Sequence, residues 1–83
     1  PHGIRVNAIG PGVIKTDLVA RAIEEGSSRE DLYLQGTPVG RLGRPNEVAN
    51  AVAFLADPDL SGFTTGSFLV VDGGWMANGW VDE

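Results

Sequence analysis

The chain has 83 residues, a net charge of −5 and 42% hydrophobic residues, the make-up of one small folded unit and not of a disordered segment. The acidic balance, with Lys15 as the only lysine, argues against nucleic acid, which needs a basic face to meet phosphates. The chain has no cysteine and a single histidine, His2, which excludes disulfides, thiolate sites and a histidine-based metal cluster, so no metal is expected. No apolar run approaches the ~18 residues of a membrane span, and no signal peptide is visible. The lack of cysteine leans toward the cytosol. The opening Pro1-His2-Gly3, with no initiator Met, points to a segment of something longer.

In chain order, Ile4 to Ile9 predicts a strand. Ile4, Val6 and Ala8 share one side; Arg5, Asn7 and Ile9 share the other. Gly10-Pro11-Gly12 is expected to end it, because proline lacks an N–H and glycine accepts unusual dihedrals. Thr16 is placed as a helix N-cap, with Asp17 in the first turn complementing the helix dipole. Leu18, Val19, Ala22 and Ile23 give an apolar stripe at helical spacing, and Gly26 is a stop. Ser27-x-x-Glu30 and Ser28-x-x-Asp31 both resemble capping boxes for a second short helix through Gln35.

Gly36, Pro38, Gly40 and Gly43 then predict a loop. Pro45 suits a first helical turn, and Glu47 has the favourable sign there. Val48, Val52 and Leu55, flanked by Ala49, Ala53 and Ala56, make a wide apolar face on a helix of about three turns. Asp57-Pro58 closes it, and residues 59–66 predict turn and loop. The uninterrupted Phe68-Leu69-Val70-Val71 predicts a strand buried on both faces. Trp75, Met76 and Trp80 follow.

The outline is a βαβ unit with an enlarged first connection. Its strands are expected to be parallel neighbours joined by a right-handed crossover. The helix from Pro45 to Ala56 covers one sheet face, yet both sides of Phe68–Val71 are apolar. The second face therefore needs a cover, from the rest of a domain or from another copy. Ligands of parallel sheets sit at the carboxyl ends of the strands, which here are Gly10-Pro11-Gly12 and Asp72-Gly73-Gly74.

These residues resemble the C-terminal part of the short-chain dehydrogenase/reductase family. Arg5-Val6-Asn7 followed by Pro11-Gly12 is similar to the family's sixth-strand motif. The run from Pro11 to Asp17 is similar to the stretch that meets the nicotinamide. Gly43-Arg44-Pro45 with Glu47-Val48-Ala49 resembles the start of its last major helix, and Thr65-Gly66 through Val71-Asp72-Gly73-Gly74 its seventh strand. The likeness runs from about Gly3 to Met76.

The resemblance implies an α/β fold: the C-terminal βαβ portion of a Rossmann-like doubly wound parallel sheet, with a helical substrate lid over residues 17–43 and the last helix and strand over 45–74. It implies an oxidoreductase that interconverts an alcohol and a carbonyl with NAD or NADP. The cofactor-binding candidates are Pro11, Gly12, Val13, Ile14, Thr16 and Leu18. Backbone groups of Val13 and Ile14 would hold the carboxamide, and the Thr16 hydroxyl would contact the amide or pyrophosphate while still capping its helix. Phe68 and Val70 would face a neighbouring subunit of a homo-oligomer. Trp75 and Trp80 would lie against that neighbour or reach its site, ordinary core packing being the alternative.

Two family features are missing from this sequence. There is no glycine-rich G-x-x-x-G-x-G phosphate loop. There is also no Tyr-x-x-x-Lys pair: Gly36 and Thr37, not a lysine, follow Tyr33. Since general acid catalysis at neutral pH requires a perturbed tyrosine, no catalytic residue is assigned, and this chain alone is expected to be inactive in hydride transfer. A complementing upstream segment would supply that half. The rival reading is a non-catalytic association module. Asp72 is taken as a turn-stabilising residue, and Ser27 and Ser28 lack the histidine that a nucleophile would need. The choice of NAD or NADP, and the substrate, are left open.

Overall fold

The computed structural model describes residues 2–78. Two parallel strands form its sheet, β1 (Ala8–Pro11) and β2 (Phe68–Val71), in the register Ala8–Phe68, Ile9–Leu69, Gly10–Val70 and Pro11–Val71. Between them come α1 (Asp17–Glu24), α2 (Glu30–Gln35), α3 (Pro45–Ala56) and α4 (Pro58–Ser61), and α5 (Trp75–Asn78) follows β2. The parallel βαβ arrangement and the long first connection match the sequence reading. Trp80 lies outside the described residues.

β1 starts later and ends later than the sequence suggests. Residues before Ala8 meet a loop that turns at Gly66 (φ 72°) instead of an extended partner. There one backbone bond, from the Gly66 N–H to the Val6 carbonyl at 2.7 Å, is joined by side-chain contacts: the Val6 N–H donates to Thr65 Oγ1 at 3.1 Å, and Asn7 Oδ1 accepts from the Ser67 N–H at 3.0 Å. At the other end Pro11 sits within the ladder. The Gly12 N–H donates to the Val71 carbonyl at 3.0 Å, so the alternation directs the nitrogen of Pro11 away from β2, where its missing N–H costs nothing.

Thr16 caps α1 as expected, its Oγ1 accepting from the Val19 N–H at 3.2 Å. Gly26, at φ +82°, turns the chain away beyond the helix. The serine capping boxes do not form. The Ser27 and Ser28 N–H groups and the Ser27 hydroxyl all bond to the Ala22 carbonyl, finishing α1 instead. α2 then starts after Arg29 without a side-chain cap. α3 runs over the predicted residues with Pro45 in its first turn. The predicted loop beyond Asp57-Pro58 begins with a helical turn, α4, because the Asp57 carboxylate accepts from the Asp59 N–H at 2.9 Å.

Arg5 joins these pieces. Its guanidinium donates to the carbonyls of Leu55 (2.9 Å), Ser61 (2.9 Å) and Thr64 (3.0 Å), placing a cation at the C-terminal ends of α3 and α4, where the helix dipoles favour it. Ser61 is buried, its hydroxyl bonded to the Phe54 carbonyl at 2.7 Å.

β2 is covered on one face only, as expected of a strand with apolar residues on both sides and a single packing helix in the chain. Leu69 and Val71 are half-buried, while Phe68 and Val70 are 59% and 38% exposed. α3 packs on both strands, so the exposed pair lies on the opposite, open face, where the Phe68 ring covers Gly10. Among the described residues the buried positions are Gly36, Thr37, Leu42 and Ser61. Three of these lie on the limb that returns from α2 to α3, so the tightest packing is beside the strand ends.

Candidate functional site

The chain leaving β1 is held against two other segments at once. Gly12 lies flat on the turn after β2, where a Cβ would stand 2.8 Å from Asp72 Cα, leaving room only for glycine. Beyond it, Ile14 and Gly43 form a parallel bridge. The Gly43 N–H donates to the Val13 carbonyl at 3.0 Å, and its carbonyl accepts from the Lys15 N–H at 2.8 Å. The excursion through α1 and α2 thus leaves and re-enters the body at one point.

The return limb is stitched to the turn after β2. The Val39 N–H donates to the Gly73 carbonyl at 3.0 Å. Added Cβ atoms would stand 2.8 Å from Thr37 at Gly73 and 3.0 Å from Pro38 at Gly74. Both glycines have positive φ (64° and 95°), a backbone that residues with a Cβ adopt at a cost. Asp72 stabilises the turn as expected. Its carboxylate accepts from the N–H groups of Gly74 and Met76, each at 2.9 Å. The bond from Met76 heads the causes that hold it below the usual carboxylate range, and Gly74 adds to the effect.

Two clefts open at the strand ends. The first, about 160 Å³, lies between Gly12-Val13-Ile14, the return limb at Thr37 and Val39, and the start of α3 at Glu47. The second, about 340 Å³, is on the open face and is bounded by Pro11, Gly12, Val13, Phe68, Trp75 and Met76. Pro11, Gly12, Val13 and Ile14 therefore all line a cleft, and Gly12 and Val13 line both. Thr16 and Leu18 line neither. Thr16 stands just beyond the bridge, and Leu18 is 76% exposed.

The polar inventory of this stretch is specific. The carbonyls of Val13 and Ile14 each accept one bond, from Gly43 and Thr16. Among the described residues no acceptor engages the Val13 or Ile14 N–H groups, leaving two donors at the end of a strand. The Thr16 oxygen accepts from Val19, and its hydroxyl proton remains available to donate.

Arg41 and Glu47 form a cleft wall that the sequence reading did not pair. The Arg41 guanidinium makes two 2.8 Å bonds to the Glu47 carboxylate, which also accepts from the Arg44 N–H at 2.9 Å. The Arg41 bonds, followed by the Arg44 N–H, lower the Glu47 pKa to about 2. Their six-residue separation matches no helical pair spacing, and the pair spans the junction between the limb and α3. Trp75 packs within the chain. Its ring packs on Gly36, where a Cβ would stand 2.6 Å from it. Tyr33 lies on α2, and the ammonium of Lys15, 4.0 Å from Glu30, faces that carboxylate. Among the described residues no group of three or more acidic or histidine side chains is placed to hold a metal ion, and no helix is long and apolar enough to cross a membrane.

A family model described as "Enoyl-(Acyl carrier protein) reductase" matches residues 1–76. A tropinone reductase homolog of Arabidopsis thaliana is 49% identical over 77 residues, covering 93% of this chain and 24% of that protein. Among solved structures, ElxO with NADP bound superposes with a TM-score of 0.82 at 39% identity, over 90% of this chain and 30% of that one. A D-mannonate oxidoreductase, described as putative, from Haemophilus influenza with bound NAD gives 0.79 at 39% identity, over 90% and 28%. The chain spans between 14% and 24% of the length of the first curated relatives it matches. With the parallel strands, the Pro11-Gly12 exit and the last helix in the order that the sequence motifs require, the chain belongs to the short-chain dehydrogenase/reductase family.

Proposed function

We propose that this chain is the part of an NAD(P)-dependent oxidoreductase that holds the nicotinamide end of the cofactor and carries the substrate lid. The observation that supports it best is the pair of unengaged N–H groups of Val13 and Ile14 at the carboxyl end of β1, beside a cleft. A carboxamide oxygen is the acceptor such donors suit, and the free proton of the Thr16 hydroxyl suits a second oxygen. Pro11 and Gly12 set the path of the backbone that presents them, and Leu18 adds the exposed N–H end of α1. When bound, the cofactor supplies or accepts the hydride that interconverts an alcohol and a carbonyl. This chain's residues orient it and have no part in the proton transfer. The absence of a Tyr-x-x-x-Lys pair and of a phosphate loop from residues 1–83 supports the reading that the segment alone is inactive.

Residues 17–43 are assigned to the lid, and the open face carrying Phe68 and Val70 to contact with further protein, within the subunit or across an oligomer. That exposed apolar face is also what favours the rival reading, a module whose work is association.

The test is titration of the full-length protein with NADH and NADPH, followed by nicotinamide emission, in the wild type, Thr16→Ala and Thr16→Ser. Loss of one hydrogen bond predicts roughly 3- to 10-fold weaker binding in Thr16→Ala, with Thr16→Ser near wild type. Unchanged affinity in Thr16→Ala would remove the hydroxyl from the site. Failure of the wild type to bind either nucleotide would overturn the clamp and favour association.

A further inference from the structure

The excursion between β1 and α3 does not behave as one piece, and a single aromatic ring stands where its two parts meet. No residue of α1 or α2 is buried, and neither helix packs extensively on the sheet or on α3. From Gly36 onward the chain is stitched to the turn after β2, with Gly36, Thr37 and Leu42 buried. The change occurs at Gly36, directly after the last residue of α2. The six-membered ring of Trp75 rests on this glycine, its Cζ3, Cη2 and Cε3 atoms all within 3.0 Å of where a Cβ would be. No other residue type fits there without displacing the indole.

The same indole reaches the cleft on the open face, beside Pro11, Gly12 and Val13, and it keeps 40% of its surface exposed. Its backbone is anchored. The Trp75 N–H bonds to the Asp72 carbonyl at 3.2 Å, and the Asp72 carboxylate holds the residues on either side. A side chain with a fixed root, one contact on a hinge and another on a cleft transmits displacement between the two.

We propose that Trp75 is a positioning residue that ties the placement of the α1–α2 pair to occupancy of the second cleft, which shares Gly12 and Val13 with the first. The ligand-dependent half of this proposal rests on the nicotinamide-clamp reading above; the contact with Gly36 does not. A ligand that presses on the indole moves Gly36 and with it the root of α2. Movement of α1 and α2 in turn changes the space beside Val13. The occupant of the cleft would be the nicotinamide ring or the carbonyl compound placed against it.

Amide hydrogen exchange of the full-length protein tests this in the wild type, Trp75→Ala and Trp75→Phe, without ligand and with NADH or NADPH. Without ligand, Trp75→Ala is expected to raise exchange over residues 17–35 roughly fivefold while α3 is unchanged, since only the local opening is affected. Trp75→Phe, which retains a six-membered ring, should restore most of the protection. With nucleotide, the wild type should gain protection over 17–35 and Trp75→Ala should not. Equal exchange over 17–35 in wild type and Trp75→Ala overturns the proposal. So does a rise in α3 by the same factor, which would make Trp75 merely part of the general packing. If the nicotinamide emission shows no binding to the wild type, the cofactor reading fails, and the ligand-free comparison still decides the hinge contact.

Discussion

The outgoing and returning limbs of the long connection make an instructive pair. α1 and α2 carry apolar residues at helical spacing, yet none is buried, and Leu18 and Leu32 are 76% and 51% exposed. The returning limb has a less regular sequence, with Pro38 and three glycines at 36, 40 and 43. It nevertheless contains the buried Gly36, Thr37 and Leu42. A helix satisfies most of its backbone groups internally and needs no neighbour's backbone for them. A loop must find partners for its backbone groups, and this one finds them on Val13, Lys15 and Gly73. The irregular limb is therefore the anchored one, and the regular helices hang from it.

If that contrast is right, changes in the seam should be costly and changes on the hanging helices cheap. Gly73→Ala is the largest expected effect. It forces a Cβ into a backbone at φ 64° and to within 2.8 Å of Thr37 Cγ2. Thr37 is itself buried and tied to the Tyr33 carbonyl at 2.7 Å. Strain and overpacking together predict about 2–4 kcal/mol of lost stability in denaturant titration of the full-length protein. Gly40→Ala is the matched control, with φ 90° but open space around it; strain alone predicts about 1–2 kcal/mol. Equal losses would remove the seam from the account.

Thr16→Ala sits at the border of the two regions. Losing the cap should cost about 1 kcal/mol, expressed as faster amide exchange in α1 with α3 unaffected. Exchange rising throughout the chain would show that α1 is not separately attached.

Glu47→Gln tests the pin at the far end of the limb by pH. The Glu47 carboxyl is lowered from its ordinary value of 4.5 to about 2 by Arg41 and the Arg44 N–H. The folded value lies below the unfolded one. Its stabilisation is therefore present above about pH 4.5 and is lost as pH falls toward 2. The stability difference between wild type and Glu47→Gln should be constant above that range and shrink below it in urea titrations at stepped pH. A difference that persists at pH 2 would assign it to packing. At the small end, Leu32→Ala on exposed α2 should change stability by no more than about 0.5 kcal/mol. A larger loss would mean that α2 is covered in the full-length protein.

Much of this protein is legible in its residues because the signals are local. Thr16 caps the helix it precedes. Pro45 and Glu47 begin a helix whose bounds are as the periodicity predicts. Asp72 holds a turn because an aspartate reaches the N–H groups just ahead of it. The apolar run Phe68–Val71 declares a strand, and the ordered motifs around Pro11-Gly12 declare the family. The shift of β1 to Ala8–Pro11 was not legible. Where pairing starts depends on where a partner sixty residues away becomes extended. The Ser27 and Ser28 boxes failed for a related reason, since the Ala22 carbonyl competed for the same groups.

What tertiary structure alone decided was proximity between segments far apart in the chain: Gly43 on Ile14, Trp75 on Gly36 and Arg5 across two helix ends. No pattern of propensity or periodicity encodes such contacts, because each depends on the path of the chain between the partners. The residues fixed which elements form and which chemistry the strand ends can offer. The folding of the return limb against those ends made that chemistry into a site.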